Sequence, residues 1–328
     1  MGNREKRIVR LEDLSKEEIR NEFLSESNDT QDPEFIIGSN QVFFDELLEA
    51  VRQNPEPALL PSGTWSRLNK SSGTPEIHHL GLRLEKFLIL NRKVKSKLSK
   101  TNFEKWTEFK TERSEKYRKI LLSDQLLAAN ELVSDSGLYC IELSNTWRLA
   151  IGLGNESVLE TSMTLHHTYG FPYIPGQALK GAIRNYVISM NFISEQEALK
   201  DKDFCNIFGG GEGAAIEKSG SVMFFDAFPT AEPKIMKDIM NPHFSPYYSG
   251  NGNKPPGDYY DPVPVTFLTV NGTSFRFMAG LKRGREWKLE NNRIGTGDMK
   301  TVVGEWIEKS LSIFGIGAKT SVGYGRFE

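Results

Sequence analysis

Lys180 and Arg184 stand four residues apart in the run Tyr173–Tyr186, YIPGQALKGAIRNY. That spacing puts two side chains on one face of a helix. Pro175 and Gly176 sit where such a helix begins. Its first-turn amides, joined by the two cations, would attract a phosphate. Gly181 and Ala182 would let a neighbouring backbone approach. The same spacing also fits an ordinary cation pair exposed on a core helix. A second set closes the chain. FGIGAKTSVGYGRF places Gly315, Gly317, Gly323 and Gly325 around Lys319, Thr320 and Ser321. Glycines permit positive φ and close approach to a ligand, so exposed amides there can cradle an anion. The run is not a Walker loop, because Lys319 follows Ala318. It leads from a helix into a strand, the reverse of a dinucleotide fingerprint, and GGGEGA at 209–214 fails the same test. A glycine-rich turn kept for folding is the plainer reading. The Lys-Thr-Ser set between the glycines favours anion binding.

Sets that would do covalent chemistry are poor. His166-His167 and His78-His79 are adjacent pairs, and sequence neighbours usually point apart. No HExxH, GxSxG or carboxylate pair at metal spacing occurs. Asp226 fits a turn or cap better than a metal ligand. Histidines near lysines could cleave RNA by acid–base chemistry without a metal. Simple backbone contact is the stronger reading. No cofactor and no metal is expected. Cys140 and Cys205 are the only cysteines and lie far apart, which excludes a disulfide scaffold and a cysteine-based zinc site.

The elements that must position these residues become regular from about Ser136. Thr146–Gly154, TWRLAIGLG, alternates as a strand, and a polar loop follows it. GQALKGAIRNYVISM is helical by the spacing of Ala178, Leu179, Ala182, Ile183, Tyr186 and Val187. SEQEALKDKDFCNIFGGG is a short helix opened by Ser194 and closed by glycines. SGSVMFFDAFP is a strand. PVPVTFLTV and TSFRFMAGL are strands joined by Asn271-Gly272, the signal of a tight hairpin. TGDMKTVVGEWIEKSLSIFG is a helix and SVGYGRFE a last strand. Without the short helix the order is β-α-β-β-α-β, the ferredoxin-like split unit used by RNA-recognition folds. The fold class is thus α+β, with a long insertion at about 229–262. Its residues Asn241, Pro242, His243, Phe244, Tyr247 and Tyr248 make a stiff, contact-making projection, since a compact domain rarely keeps so long a loop without use.

With 328 residues, 38 % hydrophobic and 26 % charged, the chain can bury a core and stay soluble. Its net charge of −2 hides two opposed regions. An acidic arm, residues 1–60, holds 14 Asp/Glu against 7 Lys/Arg, and residues 91–119 hold 11 Lys/Arg against 4 Glu. The basic stretch lacks Gly and Pro and runs on into ILLSDQLLAANELV, so it reads as one or two long helices. It is either a solvated face or a phosphate-facing one with Trp106 and Tyr117 interleaved. Residues 61–135 are read as linker and basic helical region, and 136–328 as the main domain. No apolar run approaches membrane-spanning length and the opening has no signal-peptide core, so a cytoplasmic protein without membrane contact is expected.

Taken together, GLG–SVLETSMTLHHTYGFPYIPGQALKGAIRNY, GSVMFFDAFP, DIMNPHFSPYY, DPVPVTFLTV and FGIGAKTSVGYGRF closely resemble the RAMP proteins of CRISPR–Cas antiviral systems. More narrowly they resemble the subunits that cap the backbone of type III-B (Cmr) effector complexes. The resemblance spans about residues 137–328. It implies a modified RNA-recognition fold with a thumb inserted in the guide–target duplex. It implies guide and target RNA and other Cmr backbone subunits as partners in a ribonucleoprotein complex. The guide would be gripped toward its 3′ part. By the same resemblance His166, Tyr169, Lys180, Arg184, Gly315–Gly325 and Arg326 would contact RNA, and Asn241–Tyr260 would be the thumb. Relatives that cut target RNA carry an Asp in the loop after the first strand. Here Asn155–Gly170 offers Glu156 and Glu160 but no Asp, which argues for a structural subunit and not an enzyme. The rival readings are a metal-independent RAMP endoribonuclease that processes guide precursors through His166 or His167, and a nucleotide-binding enzyme using the closing loop.

Overall fold

Twenty-one residues free of glycine and proline, Glu112–Leu132, form the first helix, α1. The computed structural model describes residues 112–155, 161–241 and 264–328, with Tyr247 and Pro255 between the last two. The acidic arm, the linker and most of the basic stretch, with Trp106, lie outside the described residues. So do Glu156, Glu160, Pro242, His243, Phe244 and Tyr248. Ser114, Arg118, Leu121, Leu122, Leu126 and Ala129 make the buried stripe of α1, at the three-to-four spacing a helix face requires.

β1 follows at Val133–Ser144. It pairs antiparallel with β9 (Ser274–Lys282), which pairs in turn with β5 (Val222–Phe224) and β6 (Phe228–Pro229). A second sheet has the order β2-β8-β7, built from Arg148–Leu149, Val265–Asn271 and Lys234–Met240. α2 (Gly176–Asn191) and α5 (Met299–Ile313) pack on one face of the β1-β9-β5 sheet. Between them lie the short helices α3 (Glu195–Ala198) and α4 (Lys202–Phe208) and a small ladder, β3 (Gly209–Gly210) with β4 (Lys218–Ser219). Phe275, Phe277, Leu179, Ile183, Ile307, Leu311 and Phe327 are buried in the core between helices and sheet. α1 covers the opposite face, where Leu126 and Ala129 meet Met278.

The β-α-β-β-α part of the expected order is present, with differences from the sequence reading. The first strand is β1, not Thr146–Gly154, of which only Arg148–Leu149 is a strand. The closing SVGYGRFE is a 3-10 turn at Thr320–Val322 followed by an extended end rather than a strand. That end takes the free edge of β1: Thr146 donates to the Arg326 carbonyl at 2.9 Å, and Ser144 and Glu328 exchange bonds at 2.9 and 3.0 Å. Asn271-Gly272 turns the chain, but β8 and β9 join different sheets and do not pair. The buried Asn145 carboxamide explains this corner: it donates to the Val270 carbonyl at 2.9 Å and accepts the Thr273 amide at 2.6 Å. The insertion expected to be irregular from about 229 contains β7, an edge strand that leads to the exposed Asn241.

Candidate nucleic-acid interface

α2 carries Lys180 and Arg184 because Leu179, Ile183, Tyr186 and Val187 bury its other face. Its N-terminus is not open to a phosphate. Gly176 donates its amide to the Asp226 carboxylate at 2.7 Å, so a carboxylate of the chain itself holds that position. Asp226 is therefore a cap, as its type suggested. Gly176 is needed for close packing, since a Cβ there would lie 2.3 Å from the Phe224 carbonyl oxygen. Gly181 has the opposite character: no atom lies within 4 Å of a Cβ built on it, and no backbone approaches. Arg184 is engaged, with Glu195 at 2.7 Å and the Phe204 ring 5.2 Å from its guanidinium carbon. Lys180 is half-buried, and burial, then the charges of Lys282 and Arg184, hold its ammonium below the ordinary lysine value.

The closing loop divides into a packed portion and an open one. Gly325 (φ +66) carries its α-carbon so close to the Ile316 carbonyl that a Cβ would lie 1.8 Å from the oxygen. A Cβ on Gly317 (φ +94) would lie 2.4 Å from the Ala150 carbonyl oxygen. Ile316, Ala318 and Gly325 spend their amides on Gly325, Ala150 and Arg148 at 2.7–2.8 Å. Gly315, also at positive φ, meets Gly325 from the other side. These three glycines are used in close backbone packing. The open portion is the turn Lys319–Gly323. Lys319 adopts the left-handed conformation (φ 61°, ψ 29°), the only non-glycine residue to do so among the described residues. The amides of Thr320 and Ser321 that follow have no acceptor among the described residues. A left-handed residue before a right-handed turn aims successive amides into one concavity, the geometry of an anion nest. Gly323 (φ +97) ends this turn, where a Cβ would meet only the Trp147 ring, at 3.9 Å, and Arg326 is exposed just beyond.

Asp238 of β7 anchors this turn. Arg148 of β2 and the Tyr324 hydroxyl both donate to Oδ2 of its carboxylate. The Tyr324 ring meets Trp147 in a tilted contact, 4.7 Å between ring centroids, and Trp147 is 45 % exposed. The Lys319 ammonium lies 5.4 Å from the Phe267 ring centre on the same side of the sheet. Trp147, Arg148 and Asp238 were missed in the sequence, where the first two fall in a run read as a strand and Asp238 in a stretch read as irregular. An exposed tryptophan beside an arginine was the available signal.

His166 and Tyr169 lie elsewhere, in the turn before α2. The His166 Nδ1 accepts the amides of Thr168 and Tyr169 at 3.2 and 3.3 Å, and its ring meets Tyr169, Tyr173 and Phe228 at 5.2–5.8 Å. Nδ1 is thereby taken up as an acceptor inside an aromatic cluster. Tyr247 is exposed, and among the described residues no group of three or more His, Cys, Asp or Glu could hold a metal. Among the described residues no helix is long and apolar enough to cross a membrane. The sheet face that RNA-recognition folds offer to bases is covered by α1: Arg276 of β9 pairs with Glu142 at 3.0 Å and donates to the Leu122 carbonyl of α1 at 3.4 Å.

An α+β domain with this order of elements and a glycine-rich closing loop defines a class, and the RAMP superfamily matches residues 146–328, more than half of the chain. The chain belongs to that superfamily. It is 37 % identical to the CRISPR system Cmr subunit Cmr6 of Pyrococcus furiosus, over 55 % of this chain and 64 % of that protein. It is 28 % identical to the CRISPR system CMR subunit Cmr6 of Saccharolobus solfataricus, over 57 % of this chain and 56 % of that protein. The matches thus span less than two thirds of either relative. A cryo-EM structure of the Type III-B Cmr-beta bound to cognate target RNA contains a chain with this fold, at a TM-score of 0.51 and 22 % identity, covering 96 % of both chains.

Proposed function

We propose that the chain is an RNA-binding structural subunit of a type III-B (Cmr) CRISPR effector complex in the cytoplasm, with guide RNA, target RNA and other Cmr subunits as partners. It caps the backbone at the 3′ part of the guide. The segment 241–260, which follows β7, serves as the thumb that distorts the duplex. One observation carries the RNA reading: the open turn at Lys319–Ser321 presents unclaimed amides and a cation beside an exposed tryptophan. Such a site suits a phosphate next to a stacked base. The covered sheet face favours contact with the RNA backbone over base readout, which fits a guide of any sequence. Family membership and the two Cmr6 relatives support the complex assigned.

The test is co-expression with the neighbouring Cmr subunits and a guide. The wild-type chain should co-purify with both, and Lys319→Gln with Ser321→Glu should lose guide while remaining folded. Retention of guide by that double variant would count against the turn. Purified protein should leave single-stranded RNA intact with and without Mg²⁺. Cleavage abolished by His166→Ala would establish the endoribonuclease instead.

A further inference from the structure

Six rings meet around His166. Tyr173 and the buried Phe228 of β6 stack at 5.5 Å between centroids and form the floor. The His166 ring stands edge-on to both, at 5.8 and 5.5 Å. His167 stacks on His166 at 5.0 Å, and Tyr169 meets it in a tilted contact at 5.2 Å. The sixth ring comes from another part of the chain: Tyr117 of α1 lies 6.3 Å from Tyr169. The turn that carries four of these rings is held by its own backbone. The His166 amide donates to the Phe171 carbonyl at 2.8 Å and the Gly170 amide to the His166 carbonyl at 2.7 Å. The rings are therefore set in place before any ligand arrives, which lowers the ordering cost of binding. The outer side of the cluster stays open. Tyr117 is 40 % exposed and His167 is exposed, while His166, Tyr169 and Tyr173 are half-buried. Flat π faces with polar edges suit a flat group with a polar rim, and a nucleobase is one. Charge decides between a base and an apolar peptide. In the sequence, residues 91–111 hold seven Lys/Arg against two Glu and lead directly into α1, where the exposed Lys116 precedes Tyr117. That charge draws a polyanion and gives an apolar peptide nothing. α1 covers the sheet face on which RNA-recognition folds stack bases, and the same helix brings Tyr117 to this other set of rings.

We infer that Tyr117, His167 and Tyr169 form a platform on which one unstacked base of a single RNA strand stacks, made from elements other than those of the Lys319 turn. His166, Tyr173 and Phe228 hold the platform rings in position. The inference rests on the RNA-binding reading above. It gives a binding role to α1, which lies before the part of the chain that the superfamily matches.

The experiment uses the full chain and two labelled strands, an oligoadenylate of about 12 nucleotides and an abasic ribose-phosphate strand of the same length, with binding followed by fluorescence anisotropy. Tyr117→Leu should weaken oligoadenylate binding about five- to tenfold, and His167→Leu about threefold. Neither change should alter the slope of log K against log salt, because no phosphate contact is lost. Tyr117→Phe should restore the affinity, since the ring face is what stacks. The abasic strand should bind Tyr117→Leu as tightly as it binds the wild type. If both leucine variants hold oligoadenylate as the wild type does while Lys319→Gln holds it less tightly, the platform is overturned and the RNA reading stands. A loss in Tyr117→Leu that is equally large on the abasic strand, or that Tyr117→Phe does not rescue, also overturns the platform, because Tyr117 then acts through the fold. If the leucine variants bind RNA normally but no longer co-purify with the other Cmr subunits, the surface belongs to a protein partner. If the wild-type chain binds neither strand, the RNA reading falls and the platform with it.

Discussion

The Asp226 carboxylate accepts the Gly176 amide at 2.7 Å, so the anion at the start of α2 comes from the strand side of the same fold. Pro175 precedes the helix and supplies no side-chain cap, leaving this one bond to satisfy the first turn. Asp226→Ala should lower stability by about 1–2 kcal/mol, measured by urea unfolding. Asp226→Asn should cost less, since its carboxamide oxygen still accepts. The salt dependence of RNA binding should not change in either. A marked gain in RNA affinity in Asp226→Ala would mean that the helix terminus competes for phosphate.

Arg148 and Tyr324 tie three segments together through Asp238. Burial would raise the Asp238 pKa, but Tyr324, the Ile239 amide and Arg148 outweigh it and hold the carboxyl below its ordinary value. A depressed carboxyl gives stability that is present above its unfolded value of about 3.9 and lost as pH falls through the folded one. Tyr324 works in the other direction: burial, then the bond to Asp238, push its hydroxyl up to about 12. Its contribution is complete below about pH 10 and is lost as pH rises through the folded value. Asp238→Asn should cost about 2–3 kcal/mol at neutral pH and flatten the acid limb of the stability profile. Tyr324→Phe should flatten the alkaline limb. Urea midpoints across pH test both, and an acid limb unchanged in Asp238→Asn would exclude the carboxylate as the tie.

Helices were legible because burial on one side prints a three-to-four period: Leu179, Ile183 and Val187 mark α2, and Val302, Val303, Trp306, Ile307 and Leu311 mark α5. β1 was not, because α2 and α5 cover one face and α1 the other. Leu138 and Cys140 pack toward α1 while Tyr139, Ile141 and Leu143 pack toward the main core, so its sequence shows no alternation. The Asn271-Gly272 turn was legible as a turn, but the partner of each strand is decided by Asn145, more than a hundred residues away. In the closing loop the glycines were visible, yet the spacing could not separate those that pack on carbonyls from the turn that stays open. The pairing of Arg184 with Glu195 is a tertiary fact with no local signature.

Glu195 and Arg184 form an ion pair whose acidic member is 61 % exposed. Such pairs contribute little to stability, so Glu195→Gln should change it by no more than about 0.5 kcal/mol. The change releases Arg184 beside Lys180. RNA affinity should rise, with a steeper salt slope by about 0.7. A fall in affinity would assign Glu195 a role in positioning α2 and not in occupying the arginine.

Gly325 and Gly181 make opposite predictions for the same substitution. Gly325 sits at φ +66 with the Ile316 carbonyl oxygen where a Cβ would go, and its own carbonyl receives the Ile316 amide at 2.8 Å. Alanine there must strain the backbone by about 1–2 kcal/mol and also push apart the chain segments that hold the closing loop to β2. Gly325→Ala should therefore lose more than about 3 kcal/mol and reduce soluble yield. Gly181 is exposed in the middle of α2, with nothing near its missing Cβ. A glycine in a helix interior costs about 0.5–1 kcal/mol against alanine, and here no packing offsets it. Gly181→Ala should raise the urea midpoint by that amount. If Gly181→Ala were destabilising, a backbone or ligand would have to approach α2 at that point; if Gly325→Ala were silent, the closing loop could not be held by the contact with Ile316.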